Sequence, residues 1–291
     1  MLAELPERDA HGVQLDIYEQ IKVLSGIPYV SSMQRHLATR PGWLEWTWEL
    51  VSPLFVNGVA QEAAWRATTA TLIAHPSTPL PALSPQALMD FGLEANEHAL
   101  AVNIVEGFVR VSPTNLAFSG VVRHVLEAYR DEVDISRERY DDSAPVRKWA
   151  APAMLAPMPV LVPFEQLSAN TLGSLKRFET QVAGAPFVPG LYRMLARWPA
   201  FLDYLAEHLA PRFDDPLIRA NCGGLADAID AAVARLPLPK NIAPPPSREE
   251  LPDILDAIAM YRVTSPQMVV FGDLIRRALL APENGRAQSC M

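Results

Sequence analysis

Residues 26–55 read GIPYVSSMQRHLATRPGWLEWTWELVSPLF, and residues 184–213 read GAPFVPGLYRMLARWPAFLDYLAEHLAPRF. Aligned at a constant offset of 158 residues, the two stretches are identical at 11 of 30 positions. The identities include the glycine and proline that open each stretch and the R-x-L-A-x-x-P sequence that follows. Ordered matches over this length indicate an internal duplication, so we expect a fold built from two related units.

The match extends on both sides of a short gap. Pro79-Leu80-Pro81 aligns with Pro237-Leu238-Pro239 in the same register, and a second block aligns at an offset of 153 residues. That block pairs Ser112-Pro113, Phe118, Arg123 and Leu126 with Ser265-Pro266, Phe271, Arg276 and Leu279. The sequence therefore predicts a first repeat at 13–130, a proline-rich connector at 131–171, a second repeat at 172–281 and a disordered tail at 282–291.

Both repeats have the pattern of helices. Apolar residues recur every three or four positions between residues 116 and 129, and alternation of apolar and polar residues is rare. Ser-Pro pairs at 84–85, 112–113 and 265–266 are typical of an N-cap followed by proline in the first turn. Ser247 and Glu250 have the spacing of a capping box. We therefore expect an all-α fold in which the two helical repeats form one compact pseudo-dimer, with a ligand cleft between the halves.

Composition excludes several classes of function. The net charge of -8 argues against a nucleic-acid surface, which needs clustered Lys and Arg. The longest apolar stretch, 150–164, carries four prolines and cannot form a membrane helix. With two cysteines and no apolar core in an N-terminal leader, we expect a cytoplasmic protein. Gly-rich nucleotide-binding and zinc-protease motifs are missing, and no second Glu-x-x-His unit completes a metal site, so we expect neither cofactor nor metal.

The duplicated G-x-P-[FY]-V and R-x-L-A-x-x-P-x-x-L sequences resemble those of the group I (DehI-type) 2-haloacid dehalogenases, over nearly the whole chain. The resemblance implies cofactor-free hydrolysis of a small 2-haloacid of either enantiomer. In this family an aspartate at the start of a helix in the second half activates a water molecule. The water displaces halide from C2 with inversion and without a covalent intermediate.

Carried over by position, the family's catalytic aspartate falls on Leu191, and the serine before it falls on Gly190. Leucine cannot accept a proton, so the resemblance leaves the general base unassigned. The pocket tryptophan and phenylalanine of the first half fall on Tyr29 and Ser32, and the pocket asparagine falls on Ser112. The pocket tyrosine is retained as Tyr261. Ser112 also fits a purely structural role, because Ser265 matches it in the other repeat.

Other residues could supply the missing carboxylate. Glu106 and Arg110 interrupt an apolar helical stretch, and there Glu106 could act as base and Arg110 could hold a substrate carboxylate. An exposed ion pair within the helix explains the same spacing. Asp256 and Asp273 are further candidates, although a solvated helix face accounts for each more simply. His36 lies on a mostly apolar helix and is interpreted as a packing residue.

Two functions stay open at this point. One is a 2-haloacid dehalogenase-like enzyme, or a relative with altered chemistry, acting on a small organic acid. The other is a pseudo-dimeric protein that binds a small molecule without dehalogenation. Association into a homodimer is compatible with either.

Overall fold

A computed structural model describes residues 3–135, 149–182, 185–239 and 242–280. Helices account for almost all regular structure in these ranges, so the predicted all-α class is confirmed. The α-helices are α1 (Val13–Ser25), α2 (Ser32–Leu37), α3 (Trp43–Val56), α4 (Val59–Ala74), α5 (Pro85–Asp90), α6 (Asn96–Arg130), α7 (Ala169–Lys176), α8 (Gly190–Leu195), α9 (Pro199–His208), α10 (Pro216–Val233) and α11 (Leu251–Leu280). Short 3-10 helices lie at Glu7–Asp9, Phe164–Gln166 and Ala210–Asp214.

The only sheet within the described residues is a small hairpin. Strands β1 (Thr180–Val182) and β2 (Ala185–Phe187) pair antiparallel, with Thr180 opposite Phe187. The hairpin leads directly to α8 and does not alter the helical class of the fold.

The duplicated sequence forms matching elements. Helices α2 and α8 begin and end 158 residues apart, which is the offset of the sequence alignment. Each is followed by a longer helix that carries aromatic side chains into the core: Trp43, Trp46 and Trp48 on α3, and Phe201 on α9. The tryptophan cluster of α3 is therefore part of the core.

The predicted helix starts at Ser112 and Ser265 are wrong. Pro113 and Pro266 lie inside the continuous helices α6 and α11. Proline in a helix interior removes one backbone donor and crowds the preceding turn, which is why the pairs resemble helix starts. Buried apolar side chains on both sides of each proline hold the helix together, among them Ile104, Val105, Leu116 and Phe118 on α6. Ser265 Oγ donates to the carbonyl of Tyr261 at 3.0 Å, a bond within the helix and not a cap.

The other predicted caps are present. Ser84 accepts the backbone N–H of Ala87 at 3.1 Å at the start of α5, and Ser247 accepts that of Glu250 at 3.2 Å before α11. The Glu250 carboxylate accepts instead from the indole N–H of Trp43 (2.8 Å) and from Arg40 (3.1 Å). Ser247 thus caps the start of α11, while Glu250 binds two side chains at the start of α3.

The chain divides into two compact units. Unit 1 contains residues 1–74, 110–156 and 223–266, and unit 2 contains residues 75–109, 157–222 and 267–291. Each unit therefore draws on both predicted repeats, since α6 and α11 contribute one segment to each. The repeat boundaries stay predictions. The predicted tail, 282–291, and part of the connector, 136–148, lie outside the described residues.

Glycine is required at one point where the connector meets the first repeat. Gly26 has φ +65° at the C-terminus of α1, and a Cβ there would lie 2.7 Å from the carbonyl oxygen of Pro152. The Gly26 carbonyl accepts the N–H of Leu155 at 3.0 Å. This contact explains the glycine that opens the first copy of the repeated sequence.

Candidate functional site

Leu191, which occupies the family's aspartate position, is a core residue of unit 2. It is the second residue of α8, and its side chain is fully buried. A Cβ on Gly272 would lie 4.0 Å from Leu191 Cδ2 and 2.7 Å from Val109 Cγ2, so α11 approaches closely here. A Cβ on the preceding residue, Gly190, would lie 3.2 Å from the ring of Phe108. The side-chain atoms that these two glycines approach are therefore apolar.

The side chain that follows Leu191 extends this apolar environment. Tyr192 is fully buried and stacks on Phe178, with ring centroids 4.0 Å apart. Its hydroxyl has no hydrogen-bond partner among the described residues. Burial raises the pKa of the Tyr192 hydroxyl, and Cys222 acts in the same direction. Burial also raises the pKa of the Cys222 thiol to about 12, so this cysteine is a protonated, structural thiol.

Two of the candidate carboxylates lie in unit 2, and both face arginines. Asp273 is buried, and its oxygens lie 2.8 Å from Arg276 Nη2 and 2.5 Å from Arg277 Nη2. Glu106 lies 3.7 Å from Arg276 Nη1. The solvated face predicted for Asp273 is wrong, because this side of α11 turns inward. The two neighbouring arginines compensate the buried charge.

Asp256 differs from Asp273 although both belong to α11. It lies in unit 1 on an exposed part of the helix, as the sequence predicted. The structure therefore separates the three weak candidates into one exposed carboxylate and two that lie beside arginine.

The remaining family positions lie in unit 1. Ser32 is the first residue of α2 and accepts from Arg35 Nη2 at 3.2 Å, while the same guanidinium lies 2.6 Å from Glu4. The ring of Tyr261 lies 6.4 Å, centroid to centroid, from that of His36. His36 is itself buried, with Nδ1 2.8 Å from the carbonyl oxygen of Ala3.

Burial determines the protonation of the tyrosines in this group. It raises the pKa of both Tyr29 and Tyr261, and the positive charge of Arg35 partly opposes the shift in each case. Both hydroxyls stay protonated at neutral pH. The structure therefore gives unit 1 two neutral phenol groups and Ser32, with Arg35 as the nearby cation.

The contacts of Arg110 and the burial of Ser112 indicate structural roles for both residues. Arg110 Nη1 donates to the carbonyls of Gly26 (3.3 Å) and Ala153 (2.9 Å), and so ties the connector to the first repeat. The Arg110 carbonyl accepts the indole N–H of Trp65 at 3.0 Å. Ser112 is buried inside α6.

One charged group in unit 1 was not anticipated from the sequence. Asp230 on α10 accepts from Arg262 Nη2 at 2.6 Å and from Arg123 Nη2 at 2.7 Å. Burial lowers the pKa of Arg262, while Asp230 acts in the opposite direction. Both repeats have an arginine at the same aligned position, Arg123 and Arg276. This match could have drawn attention to the charged group around Asp230. The carboxylate partner itself could not be found in this way, because Asp230 belongs to a part of the repeat without matches.

The described ranges contain neither a metal-binding cluster nor a membrane-spanning helix. There, no group of three or more His, Cys, Asp or Glu side chains is arranged to hold a metal ion. No described helix combines the length and the apolar character needed to cross a membrane.

Comparison with known proteins gives structural relatives only. No protein-family model matches the chain, and no curated protein matches it in sequence. A crystal structure of a D-2-haloacid dehalogenase mutant superposes with a TM-score of 0.78 and 17% sequence identity, covering 96% of each chain. A mutant complex with D-2-CPA gives 0.76 and 18%, covering 96% of each chain. A complex with L-LA gives 0.74 and 18%, covering 96% of this chain and 97% of that one. The likeness shows that the chain has the fold of the D-2-haloacid dehalogenases.

Proposed function

We propose that this chain is a haloacid-dehalogenase-like protein that binds a small organic acid without hydrolysing it through an aspartate-activated water. The observation that carries the proposal is the complete burial of Leu191, an apolar side chain, at the family's aspartate position. A general base must accept a proton within hydrogen-bond reach of the attacking water. The side chain of Leu191 has no group that can accept a proton, and the adjoining Gly190 has no side chain.

The candidate replacements do not restore a base at this position. Asp273 is held by two guanidinium groups at 2.5 and 2.8 Å, and Asp256 lies on an exposed face of unit 1. Each carboxylate has a sufficient structural explanation.

Support for binding comes from the residues present at the other family positions. Tyr29 and Tyr261 combine an apolar ring with a neutral hydroxyl, a pairing suited to a small acid with a short carbon chain. Arg35, whose charge acts on both tyrosines, pairs with Glu4 at 2.6 Å. Its guanidinium has five N–H donors, so it can bind a ligand carboxylate in addition. The solved relatives include complexes with D-2-CPA and L-LA, which supports a small acid as ligand.

One observation favours a second candidate, hydrolysis with Glu106 as base. Its carboxylate lies 3.7 Å from Arg276 Nη1. Glu106 also belongs to unit 2, as does Leu191. A dehalogenase that had moved its base to α6 would use this residue.

The test measures halide release and ligand binding with each enantiomer of 2-chloropropionate. We expect calorimetry to show saturable binding of the ligand to the unmodified protein. We expect halide release no faster than the rate in buffer. Leu191→Asp and Leu191→Asn then form a matched pair, because both introduce a polar group of similar size and only aspartate can act as base. We expect Leu191→Asp to release halide on the order of 10²-fold faster than Leu191→Asn.

The assay should cover a range of pH, since burial would raise the pKa of an aspartate introduced at this position. Halide release by the unmodified protein would overturn the proposal, and its loss in Glu106→Gln would then support the second candidate. Absence of binding by a chain whose helical circular dichroism is intact would also overturn it.

A further inference from the structure

A pocket in unit 1 lies apart from every position that the resemblance assigns. Its volume is about 120 Å³. Residues of α6, α10 and the segment after α10 line it: Gly120, Val121, Arg123, His124, Glu127, Asp230, Val233, Ala234, Leu236 and Leu238. Polar groups thus meet an apolar wall in a space suited to a small molecule.

Gly120 lets α10 pack closely against α6 at the edge of this pocket. A Cβ there would lie 2.9 Å from Asp230 Oδ1 and 3.1 Å from Val233 Cγ2. At the offset of 153 residues, Gly120 aligns with Asp273 and Arg123 aligns with Arg276. Asp273 binds Arg276 from the same helix, whereas Arg123 has no such carboxylate three residues before it.

Arg123 therefore keeps unused hydrogen-bonding capacity. Both oxygens of Asp230 are engaged, one by Arg123 Nη2 and the other by Arg262, which also donates to Ser119 Oγ at 2.8 Å. Arg123 Nη1 makes no hydrogen bond to a described residue, while Nε is buried and has no hydrogen-bond partner among the described residues. A guanidinium group offers five N–H donors, so Arg123 can bind a further anion.

Glu127 supplies the opposite charge one helical turn away. Residues at i and i+4 can form an ion pair, yet Arg123 and Glu127 form none in the described structure. The Glu127 carboxylate lines the pocket, and its charge also acts on Arg130 one turn further along α6. The pocket thus presents a donor cation and an acceptor carboxylate beside an apolar wall that includes Val121 and Leu238.

We propose that this pocket binds a small zwitterionic amino acid with a short apolar side chain. The amino acid's carboxylate pairs with Arg123, its ammonium group with Glu127, and its side chain contacts Val121, Val233 and Leu238. The size is appropriate, because a cavity of about 150 Å³ holds benzene, and alanine has as many heavy atoms. The site goes beyond the proposed function, since it uses none of the residues at the family positions.

The experiment is calorimetric titration of the full chain with L-alanine, with butyrate and propylamine as ligands that each carry one of the two charges. We expect one saturable site for alanine and at least tenfold weaker binding of butyrate and propylamine. Glu127→Gln should weaken alanine binding about tenfold, because it removes the partner of the ammonium group.

A steric variant keeps the test independent of the charges. Ala234 is an exposed residue at the pocket, so Ala234→Leu should block alanine binding without disturbing the core. Ala231→Leu is the matched control, since Ala231 is exposed on α10 but does not line the pocket. Equal alanine binding by the two variants, equal binding of butyrate and alanine, or no alanine binding would each overturn the proposal. Binding of 2-chloropropionate in the same preparation reports separately on the proposed function.

Discussion

The carboxylate of Asp273 lies between two arginines with its side chain 4% exposed, whereas Asp256 lies on an exposed face of the same helix. In sequence the two aspartates look alike, because each interrupts an apolar stretch of α11. Periodicity defines the helix but not which arc faces inward when apolar residues cover wide arcs. The different environments of Asp256 and Asp273 therefore could not be predicted from the chain alone.

The contrast gives a prediction with a matched control. Asp273→Asn removes the negative charge from beside Arg276 and Arg277, and we expect the free energy of unfolding to fall by about 1–3 kcal/mol. Asp256→Asn makes the same chemical change on the same helix and should alter it by no more than about 0.5 kcal/mol. Urea denaturation followed by circular dichroism measures both. Equal losses would show that the arginine contacts of Asp273 contribute nothing to stability.

Sequence could not predict the surroundings of Leu191, the candidate catalytic position, either. The alignment located Leu191 at the start of a helix in the second half, and α8 begins one residue before it. The alignment could not show that Gly272, distant in sequence, brings α11 close to this leucine. Contacts of this kind depend on tertiary packing, which a repeat pattern does not encode.

At the scale of elements, serine followed by proline has two structural outcomes in this chain. Ser84-Pro85 begins α5, while Ser112-Pro113 and Ser265-Pro266 lie inside long helices. Local chemistry is the same in all three pairs. What differs is burial: α5 has no buried residue, whereas α6 and α11 carry buried apolar side chains before and after the proline. Tertiary burial, not the cap signal, determines whether the helix continues.

Burial also sets how much a cap contributes to stability. Ser84 and Ser168 each accept a backbone N–H at 3.1 Å at the start of a short helix. Helix α7, which follows Ser168, buries Thr171 and Leu175. We expect Ser168→Ala to lower the free energy of unfolding by about 1 kcal/mol. Ser84→Ala should cause a smaller loss, because α5 can fray without exposing the core.

Thermal and urea denaturation of the two alanine variants, compared with the unmodified chain, measure this difference. Amide hydrogen exchange in α5 provides the complementary reading, since fraying there should accelerate exchange locally in Ser84→Ala. A larger global loss for Ser84→Ala than for Ser168→Ala would contradict the argument that burial sets the value of the cap.

At the scale of the whole molecule, the all-α class followed from repeat and periodicity, but the compact units did not. The duplication suggested boundaries at the ends of the repeats. In the structure, α6 and α11 each supply residues to both compact units. A helix of 35 residues such as α6 is long enough to serve two cores, and sequence periodicity does not show where one core ends.

Buried tyrosines distributed over both units predict how the molecule responds to alkali. Burial raises the pKa of Tyr18 from 10.0 to about 12 and also raises the pKa of Tyr192. Each hydroxyl stays protonated in the folded chain at a pH where the unfolded chain ionises. The stabilisation is fully present below pH 10 and is lost as the pH rises through about 12. Each buried tyrosine contributes a slope of at most about 1.4 kcal/mol per pH unit.

We expect tyrosinate absorbance and loss of helical circular dichroism to rise together in this interval. Tyr192→Phe removes a hydroxyl without a described partner, so it should shift the transition to higher pH at little cost in stability at neutral pH. Ionisation of all tyrosines near pH 10 with the helices intact would show that these side chains are accessible to solvent.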